Sequence, residues 1–351
     1  MLRRAAADPA PWTDRCRAMA HPAATCRRFA LPAAVVFAAA WLVAFVTSPA
    51  RLAAQSPAAA VAAQQAGNQA AFDGERAYGY LKAICDLGPR FSGSPGMARQ
   101  QEMLKAHFER QGAKVSFQQF QARHPIAGTA VAMANLIAEF HPDRRERILL
   151  CAHYDTRPYP DRDRRNPLGT FIGANDGASG VAVLMELGHF MADLPQGLGV
   201  DFVLFDGEEL VYRDTDRYFL GSEHFATEYA RGAMGGVRYR WGILLDMVGD
   251  ADLQIFQERY SLSYREVQPL VRSIWATARQ LGVREFIPRP KHMVRDDHLP
   301  LNQIARIPTC DIIDFDYPYW HTEQDVPQRC SAESLGKVGS VMLQWLRTGE
   351  K

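Results

Sequence analysis

The sequence predicts a three-layer αβα sandwich with a mixed, mostly parallel central sheet, and two observations lead to that reading. Four short apolar runs, at 148–152, 200–205, 241–245 and 309–313, alternate with helix-like segments. A strand with little polar alternation belongs to a sheet covered on both faces. Each run is also followed by acidic or imidazole side chains: His153-Tyr154-Asp155, then Asp206-Gly207-Glu208-Glu209, then Asp246, then Asp314-Phe315-Asp316 leading to Trp320-His321. Open parallel sheets place their sites at such strand ends.

The remaining elements follow from local chemistry. Ser94 can cap and Pro95 can open a helix in which Leu104 and Phe108 share a face, with Gly112 placed to end it. Strands are expected at 115–120 and 131–140, joined to the next by a charged turn, Asp143-Arg144-Arg145-Glu146-Arg147. The clearest helix carries Val267, Leu270, Val271, Ile274, Trp275, Ala278 and Leu281 in one stripe and stops at Gly282. A last helix is expected from about Ser331, with Leu335, Val338, Met342 and Trp345 facing the core. There is no internal repeat.

The chain has 351 residues, of which 47% are hydrophobic and 23% charged, a mixture that fits one large or two ordinary globular domains. Disorder, collagen and a small disulfide scaffold are excluded. Lys and Arg (40) nearly cancel Asp and Glu (39), so no global field gathers phosphate backbones, and nucleic acid is not an expected partner.

The charge is uneven. Residues 1–54 hold seven Arg against Asp8 and Asp14, and within them 29–46 is an uncharged run of 18 residues behind Arg27-Arg28. Basic residues in front and small residues behind suit either a long signal peptide or an uncleaved anchor, with membrane attachment through 29–46. Under either reading the domain is exported, to a periplasmic or secreted location. Residues 55–71 lack aromatics and read as a flexible linker, so the catalytic domain is taken as 72–351. Cys85, Cys151, Cys310 and Cys330 then lie in a compartment that permits disulfides, although Cys151 and Cys310 sit in strand-like runs where a buried thiol is usual.

Histidine and carboxylates delivered from several strand ends suit a divalent metal, and zinc takes such N/O sets with a position left for substrate. To the strand ends is added Asp176, within the turn Gly173-Ala174-Asn175-Asp176-Gly177-Ala178-Ser179-Gly180. Taken singly, each signal is weak: a lone His-x-Asp is more often a satisfied pair, and two adjacent Glu usually start a solvated helix. Together, the carboxylates would repel one another without a cation. A phosphate cradle is the poorer reading of the Gly-rich turn, because Asp176 opposes an anion and no Lys-Ser/Thr follows. The run Asp161-Arg162-Asp163-Arg164-Arg165 alternates in sign and reads as a solvated loop beside the site.

His153-x-Asp155, the Asn175-Asp176-Gly177 turn, Glu208-Glu209, Asp246 and His321-Thr322 resemble, in order and spacing, the zinc aminopeptidase-like (M28) superfamily, from about Ala77 onward. That superfamily contains two-zinc aminopeptidases and one-zinc glutaminyl-peptide cyclotransferases. The eleven residues between Glu209 and Gly221-Ser222, the motif Asp296-Asp297-His298-Leu299-Pro300 and Trp320 directly before His321 are similar to the cyclotransferases. The Asn175–Gly180 turn is closer to the aminopeptidases. Where animal cyclases place a Trp shortly after the Glu pair, this chain has Leu210-Val211-Tyr212.

As a cyclotransferase, the resemblance implies one Zn²⁺ on Asp176, Glu209 and His321, with Glu208 as proton carrier, Asp246 and Asp296 sharing its hydrogen bonds, and Trp320 as a pocket wall. The substrate would be an N-terminal Gln of a peptide or protein, converted by acyl transfer to pyroglutamate with release of ammonia. As an aminopeptidase, it implies a second zinc on His153 and Asp246, with Asp176 bridging. In both, Asp155 is the expected partner of His153.

Overall fold

The computed structural model describes residues 70–194 and 197–348. The leader at 1–54 and nearly all of the linker at 55–71 lie outside the described residues. Among the described residues, no helix is long and apolar enough to cross a membrane.

The first described helix, α1 (Gly74–Cys85), is capped by Asp73, whose carboxylate accepts from the Arg76 amide at 3.0 Å. It buries Ala77, Leu81, Ile84 and Cys85, one face of a 3.6-residue period. Ser94 caps α2 (Pro95–Arg110) by accepting from the Met97 amide, with Pro95 in the first turn.

Six strands form the main sheet: β1 (Lys114–Arg123), β2 (Ala130–Phe140), β3 (Glu146–His153), β4 (Gly199–Phe205), β5 (Arg238–Asp246) and, after the small parallel pair β6 (Ile255–Gln257) and β7 (Phe286–Pro290), β8 (Thr309–Ile313). Their order is β1-β2-β4-β3-β5-β8; β4, β3, β5 and β8 run parallel, and β2 runs antiparallel to both of its neighbours, β1 and β4.

Alternate residues of the central strands feed two cores, as the period of two requires. Ile148, Leu150 and Ala152 of β3 pack on one face with α1, α2 and the longer helices. Leu149 and Cys151 join Phe225 and Ala226 of α4 (Leu220–Ala230) and Leu301 and Ala305 on the other. Among the first group, α3 (Ser179–Leu187) is buried along its whole length. A Cβ on its Gly180 would lie 2.1 Å from the Leu245 carbonyl oxygen, so only glycine lets this helix start against the end of β5.

After the short α5 (Arg259–Ser263), α6 (Gln268–Leu281) stops at Gly282, whose φ of 73° is left-handed. Its stripe is buried except for Leu281, which is 43% exposed because the last turn overruns the packed face. The final helix, α7 (Ala332–Thr348), begins after Ser331, whose hydroxyl accepts from the Ser334 amide. Cys85, Cys151, Cys310 and Cys330 are all free and buried.

The charged turn is shorter than its composition suggests. Glu146 and Arg147 belong to β3, and Arg147 is fully buried. Its Nε donates to Asp201 Oδ2 at 2.8 Å, Nη1 donates to the His141 and Arg144 carbonyls, and Tyr239 donates to the same Asp201 carboxylate at 2.6 Å. A buried charge is tolerated only with its partners complete. Asp201→Ala is therefore expected to cost about 3–5 kcal/mol, by leaving the guanidinium uncompensated; a urea unfolding midpoint that corresponds to less than about 1 kcal/mol would show that water replaces the carboxylate.

Candidate active site

The order of the strands creates the site. The chain passes from β3 through α3 to β4 on one side, then crosses to β5 on the other side of β3, so a crevice opens beyond the carboxyl ends of these strands. His153 is the last residue of β3, Asp246 is the last of β5, and Glu208-Glu209 follow β4. Asp176 comes from the turn before α3. Gly177 in that turn has φ 89°, and a Cβ there would sit 2.5 Å from the Asp155 carbonyl oxygen, which allows the turn to press against the end of β3.

Two triads share Asp176. His153 Nε2 lies 3.2 Å from Asp176 Oδ1 and 3.1 Å from Asp246 Oδ1. His321 Nε2 lies 2.8 Å from Glu209 Oε1 and 3.5 Å from Asp176 Oδ2. In each set, His153/Asp176/Asp246 and Asp176/Glu209/His321, the ligand atoms fall within 4.8 Å of one another, and all five residues are buried.

The charges are strongly unbalanced. Burial, and then Glu209, push the Asp176 carboxyl up to about 7. Burial also opposes charge on Glu209, yet His321, Arg157 and His153 pull it down to about 2. His321 is lifted to about 9 against burial, by Glu209 and then Asp161. His153, also buried, is raised well above its ordinary value by Asp155, Asp176 and Asp246. Without a cation, protons must supply the compensation.

The donor set passes a test for a divalent metal on its own chemistry. Asp176 Oδ2 is buried with no hydrogen-bond donor, and it faces a second carboxylate and the Nε2 edge of an imidazole. Three convergent N/O ligands with solvent on the remaining side is the arrangement zinc accepts.

Asp155 lies beside His153, its Oδ1 3.7 Å from Nδ1, and has a second task, since its two oxygens accept from the Glu208 and Glu209 amides at 3.2 and 3.0 Å. It fixes the loop that carries the Glu pair. Asp325 does the same for the Asp176 turn, accepting from the Asn175 and Asp176 amides at 2.8 and 3.1 Å.

Three supporting residues escaped the sequence reading. Arg157 places Nη1 3.4 Å from Glu209 Oε1 and gives its own amide to Glu209 Oε2, while Nε lies 2.9 Å from Asp161. Asp161, in the run read as a solvated loop, lies 3.1 Å from His321 Nδ1 and orients that ring. Asp325 carried no signal beyond its position four residues after His321.

Above the triads lies a cavity of about 360 Å³ lined by Glu208, Asp246, Asp296, Phe315 and Trp320, among others. Trp320 lies against His321, with ring centroids 4.1 Å apart and the planes tilted by 40°. Glu208 is raised well above the carboxylate range by burial and then Glu209, and Asp296 by burial and then Asp246. His298 does not reach the cavity: it is fully buried between Glu258, 3.4 Å from Nε2, and Asp311, 3.7 Å from Nδ1. Where animal cyclases carry a Trp, Leu210 and Val211 are buried, and Tyr218 and Phe219 line the cavity instead.

An α/β sheet whose switch-point crevice gathers two overlapping His/carboxylate triads is the architecture of a zinc-exopeptidase-like protein. Residues 135–346 match peptidase family M28, and the chain belongs to that family. A solved glutaminyl cyclase from Fimbriiglobus ruber is 42% identical with a TM-score of 0.76, covering 80% of this chain and 96% of that one. A leucine aminopeptidase precursor from Bacteroides thetaiotaomicron is 32% identical with a TM-score of 0.75, covering 81% and 99%. The glutaminyl-peptide cyclotransferase of Bos taurus is 24% identical over 296 residues, 74% of this chain and 80% of that protein.

The proton count gives a test. A metal binding at Asp176 and His321 displaces protons from groups that titrate near 7 and 9. Zinc affinity is therefore expected to rise with pH, by about 10³-fold between pH 6 and 8, about 10² of it from the proton lost by His321 and about 10 from that lost by Asp176. Competition against a chromogenic chelator measures it, and an affinity flat over that window would remove both groups from the ligand set.

Proposed function

We infer that this chain is a zinc-dependent glutaminyl-peptide cyclotransferase, converting the N-terminal Gln of peptides or proteins to pyroglutamate with release of ammonia. The observation that carries the reading is that Asp296, Asp246 and Glu208 line one cavity together with Trp320, directly over Asp176, Glu209 and His321. A peptidase needs one general base there; a cyclisation that moves a proton between two nitrogens of the same substrate uses a set of carboxyl groups that can share it. The Fimbriiglobus ruber likeness, at 42% over nearly all of that chain, supports the same reading.

In this proposal Asp176, Glu209 and His321 hold one zinc. When bound, the metal supplies positive charge that polarises the γ-carboxamide oxygen of the substrate glutamine. Glu208 takes a proton from the substrate α-amine, whose nitrogen attacks the γ-carbonyl carbon and closes the five-membered ring. The bond from that carbon to the amide nitrogen then breaks, and Glu208 returns a proton to the departing nitrogen, so that ammonia leaves. Burial and the neighbouring Glu209 hold the Glu208 carboxyl well above the ordinary range, where it can carry a proton near neutral pH. Asp296, similarly raised, lines the same cavity with one carboxylate oxygen unpartnered, which leaves it able to share that proton, and Asp246 borders it. Trp320 walls the cavity and keeps water from the reacting carbon.

The His153/Asp176/Asp246 triad favours a second reading, a two-zinc aminopeptidase. Here a mass-spectrometric assay of the zinc-loaded protein with a Gln-initiated peptide and its Leu-initiated counterpart separates the two. Loss of ammonia from the first with the second intact, at about one zinc per chain, is the expected result. Shortening of the Leu peptide at about two zinc per chain would establish the peptidase. Glu208→Gln is expected to lower kcat by about 10²- to 10⁴-fold with zinc retained by elemental analysis; an active variant would sink the proton carrier.

Export belongs to the same proposal and rests on the basic, then apolar, residues up to 46. Fractionation of cells expressing the full chain tests it, a cytoplasmic pool being the contrary result.

A further inference from the structure

The active-site cavity is electrically two-sided. Its floor holds Asp176, Glu208, Glu209, Asp246 and Asp296, whereas Arg162 and Arg295 stand exposed where it opens to solvent. Arg157 and Lys291 nearby are neutralised by Glu209 with Asp161 and by Asp316. Among the described residues Arg162 and Arg295 enter no ion pair. Asp214 is the exposed carboxylate that opposes them. Asp161 is turned to Arg157 and His321, and Asp163 is occupied by the Arg165, Asn166 and Glu323 amides. The rim is net positive over a negative floor.

Arg162 is also held in place. Its amide donates to the His321 carbonyl at 3.1 Å, and its guanidinium lies 3.9 Å over the Trp320 ring, which in turn lies tilted against His321. An exposed arginine tied at both ends loses little side-chain freedom when it meets an anion. These two contacts keep the charge within about 8 Å of the His321 ring, and an extended residue spans about 3.3–3.6 Å.

From this we propose that Arg162 and Arg295 select substrates carrying a carboxylate on the residue that follows the N-terminal glutamine, within two residue lengths of the floor. The inference deepens the cyclotransferase reading and rests on it. The floor receives the N-terminal amine and the rim receives the anion, so the peptide is read by charge in a fixed direction. Two sources share this chemistry, an Asp or Glu side chain and the terminal carboxylate of a dipeptide.

The test compares kcat/KM for Gln-Glu-Ala-amide, Gln-Ala-Ala-amide, Gln-Lys-Ala-amide and the free acid Gln-Ala at low salt. At about two- to five-fold for each exposed charge pair, and two pairs, the Glu peptide is expected to exceed the neutral one by about 4- to 25-fold and the Lys peptide by more, the gap closing at about 0.5 M salt. Preference for the Glu peptide alone assigns the rim to a side chain; preference for Gln-Ala alone assigns it to a chain terminus. The Glu/Ala ratio should collapse in Arg162→Gln/Arg295→Gln and survive in Arg162→Lys, which separates charge from packing on Trp320.

Affinities of the same peptides for the Glu208→Gln variant, by calorimetry, read the rim independently of turnover. If no peptide is cyclised but this order persists, the cyclotransferase reading falls and the rim stands. Equal values in both measurements, or a ratio unchanged in the double variant, overturn the inference.

Discussion

Mutual repulsion among buried carboxylates is the constraint around which this molecule is arranged. Asp176, Glu209, Asp246 and Asp296 lie in one crevice almost without solvent, and Glu208 sits among them. At an effective dielectric of about 20, two charges 4 Å apart interact by about 4 kcal/mol, so five such groups cannot all ionise uncompensated. Three cationic or protonatable groups, His153, His321 and Arg157, answer part of that charge. A divalent ion held there would answer the rest.

Holding the groups together requires rigid loops, and the fold makes them rigid with further buried carboxylates used as acceptors. Asp155 takes the Glu208 and Glu209 amides, Asp325 takes those of Asn175 and Asp176, and Asp206 takes the Ala134 amide and the Ser92 hydroxyl. The oxygens of Asp155 and Asp325 close loop amides that would otherwise be left unpaired, and those of Asp206 close an amide of β2 and a buried hydroxyl. The cost shows at Asp206, which burial and then Asp155 push up to about 7. Acid residues near the site thus divide into those that face the cavity and those that hold the first kind still.

That division explains what could be read from the sequence. The strands were legible because burial on both faces removes polar alternation; 309–313 coincides with β8 and 200–205 falls within β4. The helices at 95–110 and 268–281 were legible because Ser94 and Gly282 mark their ends chemically. Arg147 was misplaced because its charge imitates a turn, and only the opposite strand's Asp201 makes its burial acceptable. In the site, residues at strand ends declare themselves by contrast with the apolar run before them. Arg157, Asp161 and Asp325 lie in loops with no such contrast, and their partners are distant in sequence; Asp161 meets His321 across 160 positions.

The loop after β3 then links ligand geometry to the cavity mouth. His321 has φ 56°, a left-handed conformation that costs a non-glycine residue roughly 1–3 kcal/mol and persists only where its surroundings over-determine it. Those surroundings are Asp161 on Nδ1, the Arg162 amide on the carbonyl, and Trp320 against the ring. All three act on one residue, and two of them come from adjacent positions in a loop that resembles solvated sequence. A shift of that loop would move the imidazole and the exposed guanidinium together. The candidate metal site and the charge at its entrance are therefore parts of one mechanical unit, and a replacement at 161 or 162 acts on both.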